Sequence, residues 1–256
     1  MMKLTVLCDN NSIIDNYYLA EPALSFLVED GKEIILFDTG YSDVFVRNAE
    51  KVGIDLNKLT KIVFSHGHND HTKGVENLLN LKQEIEVIAH PNVDKEKFYQ
   101  GLDISMPIKL KDFPSNFKIT TTEQPLKISE NIWFLGEIKR TVQKTKPLEN
   151  DYLYDDSALM YITDNKISII TGCSHSGICN IIEQAKKISK IDKIDVIIGG
   201  FHMWNDPKLN NEVCDYLSFE SINVIYPCHC TDLKAKIELS KVCDIREVGV
   251  GMVIEF

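Results

Sequence analysis

Ser65-His66-Gly67-His68-Asn69-Asp70-His71 is the stretch whose reading decides the fold. Three histidines and an aspartate fall within six residues, directly after the strand-like run Lys61-Ile62-Val63-Phe64. Imidazole nitrogens and carboxylate oxygens are ligands for first-row metals, and a loop leaving a buried strand can curl them around a common point. One histidine in such a loop would read as a solvated polar turn. Four donors at this density read as a metal-binding loop. The spacing sends His66 and His68 to one side. Asp70 and His71 follow as the chain turns toward a helix, so two neighbouring ions can be served.

Upstream, Leu4-Thr5-Val6-Leu7 reads as a first strand closed by the polar turn Cys8-Asp9-Asn10-Asn11. Two apolar runs, 23–28 and 33–37, flank Asp30-Gly31, which is a hairpin signal. The second run ends in Asp38-Thr39-Gly40, where Asp38 can cap a following helix. Residues 42–52 have helical spacing with Gly53 as the stop. The run 59–64 is the buried strand that delivers the metal loop, and 72–81 reads as a helix turning Val75, Leu78 and Leu79 inward. Ile85-Glu86-Val87-Ile88-Ala89 is a strand ending at His90-Pro91, and His90 reads as a structural polar residue. From 93 to about 127 the periodicity weakens around Pro107, Pro114 and Pro125. This is a variable segment that covers the site within a single 1–256 domain.

The second half repeats the alternation. Ile132-Trp133-Phe134-Leu135 is a strand, 141–154 an exposed loop, and Asp155-Asp156-Ser157 an acidic turn that reads first as solvated and, in the alternative, as carboxylates offered to a substrate amine or ring. A hairpin around Asp164-Asn165 runs into Thr171-Gly172-Cys173-Ser174-His175, followed by a helix over 178–188. Strand 194–198 delivers Gly199-Gly200-Phe201-His202. A helix over 211–219 precedes strand 223–226, which delivers Pro227-Cys228-His229-Cys230-Thr231. A last helix covers 232–241, and 247–255 closes the sheet. Six of the seven histidines lie in loops that directly follow these strands. Ligands in open α/β sheets gather at the carboxyl ends of strands, so a shared centre is expected there.

The H-x-H-x-D-H pattern resembles the metallo-β-lactamase superfamily of metal-dependent hydrolases, and the likeness runs from Leu4 to Val253. Gly172-Cys173-Ser174-His175-Ser176-Gly177, Gly199-Gly200-Phe201-His202 and Pro227-Cys228-His229-Cys230-Thr231 resemble one branch of it. The namesake of that branch is 7,8-dihydropterin-6-methyl-4-(β-D-ribofuranosyl)aminobenzene-5′-phosphate synthase, linked to methanopterin biosynthesis. The resemblance implies an α/β fold of four layers, an αβ/βα sandwich with the site along one edge of two packed sheets. It implies two divalent ions, with zinc first and iron or manganese as alternatives. His66, His68, Asp70, His71, Cys173, His175 and His229 are the implied ligands. Cys173 stands where many members place a bridging aspartate after Thr-Gly; a thiolate can ligate there, and a buried inert thiol fits equally. Asp38 would orient the loop by hydrogen bonding, a role compatible with helix capping. Asp70 would also accept a proton. His202 either ligates or acts catalytically on the substrate, which it would grip with Phe201. The segment 136–140 departs from the pattern, because many members carry a metal-binding histidine there and this chain has none. A flavodiiron-type redox reading fits less well, since the acidic residue it needs between the first two histidines is Gly67.

At 256 residues and 44% hydrophobic, the chain can bury one substantial core. A net charge of −10 with no basic run argues against nucleic acid as a partner. No stretch approaches the length needed to span a bilayer, and Met1-Met2-Lys3 shows no leader pattern. Seven cysteines, an odd number, point to thiols in a reducing cytoplasm. The expected partner is a small anionic substrate of the phosphate or pterin class, attracted by the metal charge. Two divalent ions held close together generate a nucleophile at neutral pH and hold the attacking and leaving oxygens. The reaction expected is hydrolysis or group transfer at a phosphate ester or diphosphate. A non-catalytic metal or pterin sensor, or a lactone or β-lactam hydrolase, shares the same ligands.

Overall fold

Each β-branched run becomes a strand, and the parallel strands carry the candidate residues at their carboxyl ends. The computed structural model describes residues 1–149 and 151–256, which divide into two compact units. Position 150, within the loop expected over 141–154, lies outside the described residues.

The first unit takes 1–123, 148–151 and 248–256. Its sheet contains β1 (Met2–Cys8), β2 (Ser25–Asp30), β3 (Glu33–Phe37), β4 (Lys61–Val63) and β5 (Ile85–Ala89). A small hairpin, β6 (Phe98–Tyr99) and β7 (Leu102–Asp103), stands apart, and β8 (Phe117–Thr121) joins the sheet edge beside β5. The C-terminal strand Val253–Glu255 pairs with β1 at the other edge. Strands β3, β4, β5 and β8 run parallel. Asp38, the His66–His71 loop and His90 therefore leave the same end of the sheet. Helix α1 (Val44–Val52) buries Phe45, Asn48 and Ala49, and Gly53 ends it in the left-handed region at φ 84°.

Two expectations are corrected here. The helix expected over 72–81 begins instead inside the His66–His71 loop, as α2 (Asn69–Thr72), and continues as a 3-10 segment, Lys73–Leu78. Val75 and Leu78 are buried as expected. The tighter winding goes with the packing of Gly74, whose N–H donates to the Gly40 carbonyl at 3.0 Å. A Cβ on Gly74 would stand 1.9 Å from the Thr39 carbonyl oxygen. The segment 93–127 also holds more order than its weak periodicity suggests, because β8 is an edge strand with one buried face residue, Phe117. It meets the His66–His71 loop at two points: Asn69 N–H donates to the Ile104 carbonyl at 2.8 Å, and His68 bridges to Ser105.

The second unit takes 124–147 and 152–247. Its sheet runs from β9 (Leu126–Lys127) through β10 (Ile132–Phe134), β11 (Ala158–Thr163), β12 (Lys166–Thr171) and β13 (Ile194–Gly200) to β14 (Ile222–Cys228). Asp164 and Asn165 both take positive φ, 45° and 60°, as a two-residue hairpin turn requires. Strands β12, β13 and β14 are parallel, and they deliver Cys173–His175, His202 and His229 at one end. Helices α3 (Ile178–Ser189), α4 (Pro207–Ser218) and α5 (Leu233–Leu239) supply apolar faces to a core that includes Ile169, Ile181, Ile197 and Val213. Helix α4 starts four residues before the expected 211, because Asp206 accepts from the Leu209 N–H and Pro207 suits the first turn. Among the described residues, no helix is long and apolar enough to cross a membrane, and all seven cysteines are thiols.

Candidate metal centre

In the first unit, a buried carboxylate organises the histidines. Asp38 is fully buried and has φ +58°, a costly conformation for a side-chain-bearing residue. Its Oδ1 accepts from the Ser65 N–H at 2.8 Å. Its Oδ2 accepts from the Ser65 hydroxyl at 2.7 Å and lies 2.7 Å from His71 Nδ1. A carboxylate oxygen accepts, so His71 donates from Nδ1 and its Nε2 is left as that ring's lone pair. The Ser65 hydroxyl proton is committed to Asp38, so its oxygen accepts from His66 Nδ1 at 2.9 Å, which leaves His66 Nε2 as that ring's lone pair. The Asp38 side chain therefore ties the Ser65 backbone to the His71 ring, and the residue at the N-cap of α1 is Asp43. Ring centroids of His66 lie 4.6 Å from His68 and 4.3 Å from His71. Asp70 Oδ2 is 3.7 Å from His71 Nε2, and its side chain is about one-third exposed at 31%.

Gly67 has a steric reason. A Cβ there would stand 1.8 Å from the Val93 carbonyl oxygen, so no other residue fits between His66 and His68. The same hypothetical Cβ is 3.1 Å from Lys97 Nζ. Lys97 is a buried cation 4.0 Å from Asp151 Oδ2, and no spacing rule singles it out in the sequence. His90 accepts the Asn92 N–H on its Nδ1 at 3.1 Å.

The second unit brings together Cys173, His175, His202, His229 and Cys230. Ligand atoms of Cys173, His175 and His202 lie within 4.8 Å of one another, as do those of Cys173, His229 and Cys230. Ser174, His202 and His229 all take positive φ (55°, 51° and 48°), so the strand ends that carry the donors are also the strained ones. The His202 ring lies 4.2 Å from His175 and 4.3 Å from Trp204. Phe201, expected at the substrate, is 1% exposed and packs in the hydrophobic core of this unit. Trp204, 45% exposed, has the accessible ring instead.

No spacing rule singles out Cys230 in the sequence. Burial alone pushes its thiol up, but hydrogen bonds with Cys173 and His202 and the charges of His229 and His202 bring it well below the ordinary value. The signal was available in the glycine doublet: a Cβ on Gly200 would lie 2.5 Å from Cys230 Sγ.

The turn at Asp155-Asp156-Ser157 is not solvated, because all three residues are buried. Asp156 accepts from the Ser176 N–H at 2.9 Å and from its hydroxyl, pinning the loop that carries His175. Burial pushes this carboxyl up to about 6 against the lowering by the Ser176 bonds and Arg140. Its folded pKa exceeds the ordinary 3.8. Its contribution to stability is thus full below that value and is lost as pH rises through 6, a change on the order of 3 kcal/mol. Asp156→Asn keeps an acceptor and removes the charge. The Tm of the variant relative to wild type is expected to climb as pH goes from about 4 to about 7. A pH-independent difference in thermal melts would contradict this.

The family model of the metallo-beta-lactamase superfamily matches residues 19–186. The chain belongs to the metallo-β-lactamase superfamily. It is 29% identical to the 7,8-dihydropterin-6-methyl-4-(beta-D-ribofuranosyl)-aminobenzene-5'-phosphate synthase of Methanocaldococcus jannaschii, over 100% of this chain and 97% of that one. An uncharacterized protein of the same organism is 30% identical over 98% of this chain and 99% of its own. Among solved structures, Tm1679, described as a metal-dependent hydrolase of the beta-lactamase superfamily, matches with a TM-score of 0.86 and 26% identity, covering 100% and 99% of the two chains. The fold is thus of the metallo-β-lactamase type, as expected. Superfamily members are usually metal-dependent hydrolases, and the fold implies divalent metal binding, usually zinc. The residues present fit such an ion, since Asp38 and Ser65 tie down the Nδ1 edges and turn the Nε2 edges of His66 and His71 toward a ligand.

Proposed function

We propose that the protein is a metal-dependent enzyme acting on phosphate-ester or diphosphate substrates, with a dihydropterin as the ring-bearing part. What carries the reading is the pair of parallel strand triplets, each ending in a set of metal donors, in a chain similar end to end to the synthase. In this reading residues 1–256 act as one cytoplasmic domain. His66, His68, Asp70 and His71 with Cys173, His175 and His229 hold two divalent ions, with zinc first and iron or manganese as alternatives. When bound, such ions supply Lewis acidity toward phosphate oxygens and a nucleophile at neutral pH.

The chain's own residues do the rest. Asp38 fixes the tautomers of the histidines and keeps their rings from turning. Asp70, the partly exposed carboxylate of the loop, accepts the proton released by the nucleophile. Lys97 adds positive potential beside the loop, which favours an anionic substrate in a protein of net charge −10. Trp204 with His202 offers an aromatic face for a planar ring. Two reactions fit: hydrolysis, or attack by an arylamine-type nucleophile on a carbon bearing diphosphate.

The test is turnover of a phosphodiester and of a dihydropterin diphosphate by metal-loaded protein. Turnover of either is expected and should vanish on chelation. Failure with both, in protein that retains metal, would favour a sensor. His202→Ala and His229→Ala separate the roles of the distal histidines. His229→Ala is expected to deplete metal, whereas His202→Ala should keep it and raise KM or lower kcat about tenfold or more, a loss of roughly 1.4 kcal/mol or more. Equal metal loss in both variants would move His202 among the ligands.

A further inference from the structure

Cys173 and Cys230 are 57 residues apart in sequence, yet their Sγ atoms lie 2.9 Å from each other. Three features of the second unit build this contact. Cys173 leaves the end of β12 and Cys230 follows the end of β14, so the two loops flank the end of β13. At that end Gly200 leaves the space that the Cys230 sulfur fills, since a Cβ would meet it at 2.5 Å. The His202 N–H points at Cys230 Sγ from 3.2 Å, the kind of backbone donation that supports a charged sulfur. His229 stands beside the pair, with its ligand atom, Cys173 Sγ and Cys230 Sγ all within 4.8 Å.

We propose that Cys173 and Cys230 form a thiolate pair that ligates one divalent ion together with His229, and that this pair selects a soft ion such as zinc over manganese or magnesium. The inference deepens the proposed function and rests on its metal reading. Thiolate ligands favour zinc and disfavour the hard, oxygen-seeking cations. On binding, two thiols release two protons and form two sulfur–metal bonds, with no change of oxidation state. Bonds of about 2.3 Å in tetrahedral geometry would place the sulfurs roughly 3.8 Å apart, so the pair needs to open by only about 1 Å. The partly exposed loops at Cys230 and His229 leave room for that.

The experiment is cobalt titration of the full chain after reduction and chelator treatment, followed by near-ultraviolet absorption. Wild type is expected to show sulfur-to-cobalt charge transfer. Cys230→Ser and Cys173→Ser should each show about half that intensity and bind cobalt about tenfold more weakly or worse. Alkylation of wild type supplies a readout free of folding effects: bound cobalt or zinc should protect Cys173 and Cys230 by peptide mass, and manganese should not. Cobalt bound without charge transfer, or wild-type intensity in Cys230→Ser, would overturn the thiolate pair and leave the metal enzyme standing. No cobalt bound would overturn both. Recovery of these two thiols only after added reductant, with no metal protection, would show a disulfide in place of a ligand pair.

Discussion

Asp38→Ala is expected to strip metal from the protein and destabilise its fold in the same step. The carboxylate is fully buried and accepts from the Ser65 N–H, the Ser65 hydroxyl and His71 Nδ1. Alanine leaves these buried donors without an acceptor, at a cost of about 1–3 kcal/mol for each group left unsatisfied. The total is a large fraction of the stability of an ordinary domain. Loss of the carboxylate also frees His71 and, through Ser65, His66 to rotate, and outer hydrogen-bond partners of this kind are worth about 10–100-fold in metal affinity. Asp38→Asn should fall between, since the amide keeps an acceptor but turns a donor toward groups that already donate. Thermal melts with and without chelator, together with metal competition, check both effects. Wild-type melting and metal retention in Asp38→Ala would remove Asp38 from the centre of the site.

Gly67→Ala is expected to be nearly as damaging, although it adds one methyl group. The added carbon would meet the Val93 carbonyl oxygen at 1.8 Å, and a backbone atom cannot swing aside as a side-chain end can. Overpacking of this type costs about 1–3 kcal/mol or more, and here the strain falls between His66 and His68, the proposed ligands. Metal affinity should drop by at least about tenfold. Gly101→Ala is the control: Gly101 has φ +76°, and a Cβ there meets nothing within 4 Å. It should lose about 1 kcal/mol of stability through backbone strain and keep its metal. Equal metal binding in the two variants would show that the close approach at Gly67 does not shape the loop.

The loop and the strand ends could be read from the sequence because their signals are local. Lys61-Ile62-Val63-Phe64 followed by H-x-H-x-D-H places donors after a buried strand without knowledge of any other element. The hairpins at Asp30-Gly31 and Asp164-Asn165 likewise need only turn chemistry. What escaped reading depends on contacts between distant segments. The 3-10 winding of Lys73–Leu78 goes with the packing of Gly74 against Thr39 and Gly40. Asp156 looks like a solvated carboxylate until Ser176 covers it. Phe201 sits one residue from His202, but its ring goes to the core because β13 continues through Gly200 before the chain turns. Cys230 lay within a motif already quoted, and only the missing side chain at Gly200 hinted that its sulfur had somewhere to go.

The most direct test of the metal-enzyme reading is the metal-to-protein ratio of wild type, His68→Ala and His229→Ala, measured on the same preparations by elemental analysis. The proposed centre draws one variant's ligand from each donor set. A ratio near two is expected for wild type, by analogy with two-metal sites of this kind, and one or less for each variant. A wild-type ratio of one that neither substitution changes would contradict the dinuclear centre.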